Sequence, residues 1–325
     1  MNGGVSPLHG PGASQSGGEG QSRSTDRRIR GGVLGEVVRD VRLLLAGVGV
    51  PEPEIESRLI VQHALGLSIE RLLVSMRDPA PEGADERISS LLSRRLKREP
   101  LPYITGRRDF FGRTFRVDRN VLVPRPETEL LVERALEFAA DVEGRDRPTG
   151  VGLRIADIGV GSGVLAITLA LELPEAEVFG TDISGDALTV ARRNGDALGA
   201  GRVVWLEGDL ASPLAGRFDI VVSNPPYVPA GDIDLADPEL RYEPRLALDG
   251  GPDGLAVIRR LIAVLPGLLR AGGATALIEA DPRSAVPAAN LAMKAMPGAY
   301  IAVLRDLAGQ DRCIEIRTPN HPTSH

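Results

Sequence analysis

One cysteine, Cys313, and four histidines, His9, His63, His321 and His325, are all that this chain of 325 residues offers to soft metals or to disulfides. A disulfide scaffold is therefore excluded, and a zinc or di-metal cluster of the usual His/Cys kind cannot be assembled. Aromatic residues make up only 3%, and Lys97 and Lys294 are the sole lysines. No apolar run reaches the ~18 residues of a membrane-spanning helix, and the amino end lacks the apolar stretch of a secretory signal. A cytoplasmic protein with no membrane contact is expected, in keeping with its single cysteine.

The net charge of −6 argues against a generic polyanion binder. Charge is unevenly spread, however. From Arg87 to Arg119 ten basic residues stand against Glu99, Asp109 and Asp118, a local net of +7. That segment reads either as a face for RNA, a ribosome-associated protein or an acidic partner, or as a solvated helix face in an arginine-rich chain.

Residues 1–30 hold seven Gly and five Ser with hardly a large apolar side chain. They cannot bury enough surface to offset the entropy of ordering, so a disordered tail is expected there, with a second flexible tail at 320–325. Leu34, Val37, Val38, Val41, Leu44 and Leu45 then repeat at helical spacing. Further helices are expected over Pro53–Leu65, with Ile55, Leu59 and Ile60 apolar, over Ile69–Met76 capped by Ser68, and over Ala84–Arg98. Residues 31–105 thus read as a small helical bundle. A linker over 106–125 carries a hairpin, with strands Asp109–Phe111 and Thr114–Val117 about a turn at Gly112–Arg113. Pro126 suits the first position of a helix running to about Phe138.

From there the pattern changes. Short apolar runs at Leu153–Ile158, Glu177–Thr181, Arg202–Leu206, Phe218–Val222, Ala274–Ile278, Tyr300–Leu304 and Arg312–Ile316 alternate with helical segments. That is the signature of an α/β domain, here 126–319, with a mostly parallel seven-stranded sheet and helices on both faces. Such sheets bind ligands beyond the carboxyl ends of their strands.

The first of these strands runs into Gly159-Val160-Gly161-Ser162-Gly163. The glycines allow a tight turn and let a ligand approach the backbone, and the following helix offers free N–H groups. A dinucleotide fingerprint would need glycine where Val164 stands, and a P-loop would need Gly-Lys-Ser/Thr, which is absent. Asp182 ends the second strand, where a carboxylate accepts hydrogen bonds from ribose hydroxyls or caps the helix after Ser184. Asp209-Leu210 ends the third, flanking a base or forming a simple turn.

The fourth strand ends in Ser223-Asn224-Pro225-Pro226-Tyr227. Two prolines hold Asn224 and Tyr227 with little conformational freedom. An amide or exocyclic amine nitrogen is a poor nucleophile because its lone pair is delocalised. If the Asn224 side-chain oxygen and the Pro225 carbonyl each accept one N–H, the NH2 group is oriented and its lone pair is turned toward an electrophile. Tyr227 can stack on a planar substrate. Catalysis of this kind rests on positioning and desolvation, with no ionisable nucleophile.

The glycine spacing resembles the first motif of class I S-adenosylmethionine-dependent methyltransferases. Glu99-Pro100-Leu101-Pro102-Tyr103-Ile104-Thr105-Gly106, Phe110-Phe111-Gly112, Val121-Leu122-Val123-Pro124-Arg125-Pro126-Glu127-Thr128-Glu129 and Arg241-Tyr242-Glu243-Pro244-Arg245-Leu246-Ala247-Leu248 closely resemble the HemK/PrmC family of release factor glutamine N5-methyltransferases. The resemblance spans residues 33–317. It implies a Rossmann-like catalytic domain, S-adenosyl-L-methionine as donor with S-adenosyl-L-homocysteine as product, and as substrate the glutamine of the Gly-Gly-Gln motif of class 1 peptide chain release factors. It assigns Gly159 to Gly163, Asp182 and Asn224 to the donor, Asp209 and Leu210 to the adenine, and Asn224 to Tyr227 to the glutamine, with the helical domain gripping the release factor. Leu210 departs from members that carry an aromatic there.

Two rival substrates remain: a glutamine of a ribosomal protein, and adenine N6 in nucleic acid. The second lacks a target-recognition domain and a basic cleft, so no stable nucleic-acid binding is expected. A monomer is expected. A non-catalytic module would have lost Asn224 or the glycine turn, and both are intact. Cys313 reads as core and His63 as structural. Glu279 either faces the site or caps a turn, and Pro124 to Thr128 either line the donor pocket or cap a helix.

Overall fold

The computed structural model describes residues 32–144, 149–235 and 237–319, so both expected tails lie outside the described residues. Four helices open it: α1 (Leu34–Gly47), α2 (Pro53–Leu65), α3 (Ile69–Val74) and α4 (Ala84–Arg95). Val37, Val41, Leu45, Ile60, Val61, Leu72, Ile88 and Leu92 bury together as one core, and the Ser68 hydroxyl caps α3 by accepting the Arg71 N–H at 3.2 Å. The inward face of α2 departs from expectation. Ser57, Ile60 and Val61 form the buried i, i+3, i+4 stripe, which leaves Ile55 and Leu59 at 52% and 39% exposure, lining a groove that also borders Arg125 and Leu240. Arg98, at φ 66, turns the chain just after α4, which stops at Arg95. The next helix, α5 (Leu101–Thr105), was not expected, being too short for a periodic signal.

The hairpin pairs β1 (Arg107–Phe110) with β2 (Arg113–Arg116), with Phe110 opposite Arg113. Its turn is therefore Phe111–Gly112, one residue earlier than expected. Both turn residues take positive φ, 48° and 70°, as a two-residue turn with matching twist requires. The Phe111 N–H donates to Glu129 Oε1 at 2.7 Å, which ties the turn to α6. The helix expected from Pro126 begins as a 3₁₀ turn, Pro126–Thr128, and continues as α6 (Glu129–Glu143).

The remainder runs β3 (Arg154–Ile158), α7 (Val164–Glu172), β4 (Glu177–Asp182), α8 (Gly185–Leu198), β5 (Val204–Glu207), β6 (Ile220–Ser223), α9 (Ala256–Leu268), β7 (Thr275–Glu279), α10 (Pro282–Ala295), β8 (Tyr300–Arg305) and β9 (Asp311–Arg317). All seven expected strands are present, their ends within two residues. The sheet order is β5-β4-β3-β6-β7-β9-β8, parallel except for β9 against β7 and β8. One face packs on α6 and α7 through Leu131, Ile167, Ile155 and Leu277. The other packs on α9 and α10 through Ile258, Leu265, Ala288 and Ile278. Because the chain winds outward from β3 through β4 to β5 and then crosses back to β6 on the other side of β3, the strand order reverses between β3 and β6 and a crevice opens at their carboxyl ends.

Much of the basic segment is spent inside the molecule. Arg94 pairs with Glu99 at 2.6 Å, Arg95 with Glu56 at 2.5 Å, Arg98 with Asp237 at 3.0 Å and Arg113 with Glu172 at 2.6 Å. The local +7 is not one free cationic face. Among the described residues no single helix is long and apolar enough to cross a membrane.

Candidate active site

The crevice is a cavity of about 250 Å³ walled by the ends of β3, β4 and β6 and by the turn before α6. Gly159, Val160, Gly161, Ser162, Asp182, Asp209, Leu210, Asn224, Pro225 and Pro226 all line it. Sequence positions far apart thus meet because parallel strands deliver their carboxyl ends to one edge.

The glycine turn is held from the neighbouring strand. Gly159 and Val160 both donate to the Thr181 carbonyl, at 2.8 and 3.0 Å, and Gly161 donates to Asp182 Oδ2 at 2.9 Å. Gly159 and Gly161 have φ of 80° and 52°, and a Cβ on either would meet no atom within 4 Å. Since both line the cavity, a side chain there would occupy ligand space. Gly163 serves packing instead. A Cβ there would lie 2.9 Å from Ile167 Cδ1 and 3.1 Å from Ala191 Cβ, so its absence lets α7 approach α8. Asn194 on α8, which sequence reasoning missed, braces the turn by donating to the Ser162 carbonyl at 2.8 Å and also holds the Arg116 backbone.

Asp182 accepts from Gly161 with one oxygen and from the Ser184 N–H, at 2.9 Å, with the other. Burial raises its pKa, against the pull of those N–H bonds. Both oxygens keep a lone pair for a ligand. Asp157, two residues before Gly159, is fully buried; Oδ2 accepts the Ala166 N–H at 2.9 Å and Oδ1 has no partner among the described residues. Burial, with a contribution from the Asp182 charge, pushes it up to about 7. Asp209 is paired with Arg260, which also lines the cavity and went unnoticed in the sequence. Leu210 is held at φ 50° by the Thr181 hydroxyl, which donates to its carbonyl at 2.9 Å.

At the opposite wall, Ser223 Oγ donates to the Ile158 carbonyl at 2.6 Å and pins β6 to β3. Asn224 Nδ2 donates to Thr128 Oγ1 at 3.1 Å, and Thr128 Oγ1 donates to Glu279 Oε2 at 2.7 Å. Tyr227 lies behind the prolines, packed against the α9–β7 core, with its hydroxyl donating to Glu279 Oε1 at 3.1 Å. Burial raises the Tyr227 pKa, and the nearby Glu279 carboxylate raises it further. Glu279 itself is fully buried, and burial pushes it up to about 6 against those two hydrogen bonds. Neither Asn224 Oδ1 nor the Pro225 carbonyl accepts a hydrogen bond among the described residues. Close approach at Gly254, where a Cβ would lie 2.5 Å from the Tyr227 carbonyl, clamps the turn from below. Cys313 is buried in β9, and burial raises its thiol pKa, as expected of inert core.

A switch-point crevice with a glycine turn, an acid ending the next strand and Asn-Pro-Pro-Tyr ending the fourth defines the class I S-adenosylmethionine-dependent methyltransferase fold. Residues 36–106 match the PrmC N-terminal domain model and residues 146–237 the methyltransferase small domain model. The chain is 40% identical over 285 residues to a release factor glutamine methyltransferase of Deinococcus radiodurans, covering 87% of this chain and 98% of the relative. A Moorella thermoacetica protein of the same name is 42% identical over 285 residues, 86% of this chain and 95% of that one. Among solved structures, the hMettl16 catalytic domain, in complex with the MAT2A 3'UTR hairpin 6, superposes with TM-score 0.50 and 13% identity over 66% of this chain and 77% of its own, a likeness of fold. The chain belongs to the release factor glutamine methyltransferase family. Enzymes of this class take their methyl group from S-adenosyl-L-methionine, and the open cradle over Gly159 and Gly161 fits that group.

Proposed function

We propose that this protein transfers a methyl group to the side-chain amide nitrogen (N5) of the glutamine in the Gly-Gly-Gln motif of class 1 peptide chain release factors. The observation that carries this reading is the position of Asn224 on the cavity wall, with its Oδ1 and the adjacent Pro225 carbonyl both left without donors among the described residues. Two acceptors side by side suit one planar NH2 group, each taking one N–H and leaving the lone pair to face the cavity. When bound, S-adenosyl-L-methionine supplies an electrophilic methyl group on a sulfonium.

In this reading Gly159 to Ser162 hold the donor backbone-to-ligand, with Gly163 letting α7 pack on α8 behind them, Asp182 accepts ribose hydroxyls with its remaining lone pairs, and Asp209 and Leu210 border the base. Pro225 and Pro226 keep the acceptors rigid, so little reorganisation is needed when the amide arrives. Tyr227 anchors the turn through Glu279. Residues 31–105 grip the partner, 106–125 link, and 126–319 carry catalysis. The enzyme works in the cytoplasm as a monomer and forms no stable complex with nucleic acid.

The test is transfer of label from S-adenosyl-L-methionine to a purified class 1 release factor, to the same factor with its Gly-Gly-Gln glutamine replaced, to ribosomal protein and to duplex DNA. A single methyl on that glutamine, located by peptide mass spectrometry, is the expected result. Label on ribosomal protein or DNA instead would overturn the substrate.

A further inference from the structure

We infer that Thr128 and Glu279 are positioning residues that set which end of the Asn224 amide faces the substrate. The inference rests on the glutamine reading above. An asparagine side chain ends in an oxygen and an NH2 group of nearly equal size, so packing alone does not choose between its two orientations; hydrogen bonding must. The choice matters, because an NH2 group turned into the cavity would oppose donor to donor against an incoming amide NH2.

Three elements make the choice. Glu279 ends β7 with no exposed surface, and an ionised carboxylate only accepts hydrogen bonds. The hydroxyl protons of Thr128, at 2.7 Å, and of Tyr227, at 3.1 Å, are therefore both directed at it. Thr128 has one hydroxyl proton, and it is spent on Glu279. Toward Asn224 its oxygen can only accept, so the Asn224 group 3.1 Å away must be the NH2. Oδ1 is left to the cavity. The chain of preference runs from a carboxylate through a hydroxyl to an amide, and its inner two members are sheltered: Thr128 is 1% and Glu279 0% exposed.

A buried carboxylate is a costly way to satisfy two hydroxyls, since apolar groups of the same shape would avoid its desolvation. That carboxylate nonetheless passes directional information to Asn224 through Thr128. The glycine turn and Asp182 take no part in this chain of bonds. Loss of the lock thus slows turnover while leaving the glycine-turn and Asp182 contacts to the donor in place.

The experiment compares full-length wild type with Thr128→Val, which keeps the shape and loses the hydroxyl, Thr128→Ser, which restores the hydroxyl, and Glu279→Gln, which can donate as well as accept. For each, kcat and KM with release factor are measured, with S-adenosyl-L-methionine affinity by calorimetry serving also as proof of folding. The loss of one oriented neutral hydrogen bond predicts a fall in kcat of roughly 3- to 10-fold for Thr128→Val, with donor affinity unchanged, most of the loss recovered by Thr128→Ser, and a fall again for Glu279→Gln. Wild-type kcat in Thr128→Val, or equal losses in the Val and Ser variants, would overturn the lock. If Thr128→Val binds no donor, Glu279→Gln decides: unchanged kcat there overturns it and a selective fall supports it. A wild type that labels no release factor overturns the substrate reading and this inference with it.

Discussion

Arg95 joins the helical bundle to the chain that follows the Asn-Pro-Pro-Tyr turn. It is 1% exposed at the end of α4, and its guanidinium grips Glu56 on α2 with two bonds, of 2.5 and 2.9 Å. It also reaches Glu239 at 2.8 Å and the Glu99 carbonyl at 3.1 Å. Arg95→Ala removes the cation and leaves two acids facing each other. Breaking a buried ion pair costs about 3–5 kcal/mol. Because the Glu56 and Glu239 side chains keep 16% and 24% of their exposure, some water reaches them, and the lower end, about 3 kcal/mol, is expected. At a urea slope of about 2–3 kcal/mol/M this moves the unfolding midpoint by about 1 M. The single tryptophan, Trp205, lies on β5 and reports the sheet, whereas far-UV circular dichroism reports the helices. In Arg95→Ala the dichroism transition should begin ahead of the fluorescence transition. A midpoint within ~0.3 M of wild type, with the two transitions coincident, would refute the assignment of Arg95 as the tie.

Asp157 should make stability fall as pH rises. Its folded pKa, about 7, lies above the ordinary aspartate value of about 3.9, so the folded state favours the protonated form; that advantage is full below about pH 4 and is lost as pH rises through about 7. Between pH 5 and 8 the loss is about 2–3 kcal/mol, and denaturation of Asp157→Asn across that range should lack this slope; an identical slope in variant and wild type would count against it. Gly161→Ala, at φ 52° with open space, should fold at a cost of about 1 kcal/mol and bind donor more weakly, whereas Gly163→Ala meets Ile167 and Ala191 and should lose about 2–3 kcal/mol of stability. Thermal melts with and without S-adenosyl-L-methionine separate the two. Asn224→Ala should lower kcat on the order of 10²-fold, and wild-type turnover would discard the paired-acceptor geometry.

Fold and site were legible to different depths in the sequence. The seven strands could be read because each is a short, largely apolar run bounded by turns, a local property, whether it pairs parallel as β3 to β7 do or antiparallel as β8 and β9 do. Ile55 and Leu59 misled because helical spacing names a stripe without saying which neighbour covers it; Ser57 with Ile60 and Val61 took the inward place. The hairpin turn shifted by one residue because the strand register pairs Phe110 with Arg113, which leaves Phe111 and Gly112 as the two turn residues. Glu279 carried a weak signal, an acid ending an otherwise apolar strand at the ligand edge of a sheet, and the sequence could not tell whether it faced the site or capped the following turn.

What the amino-acid order alone determined is the chemical inventory and its sequence along the sheet: a glycine turn after β3, an acid after β4, a rigid Asn-Pro-Pro-Tyr after β6. These depend on backbone freedom and on residues next to one another. Only the tertiary structure decided that Thr128 lies between Asn224 and Glu279, 96 and 151 positions away, and that Arg95 is spent on Glu56 and Glu239. Hydrogen bonds and ion pairs act over a few ångströms and in fixed directions, so which groups meet is settled by strand order and helix packing, which no short stretch of chain contains.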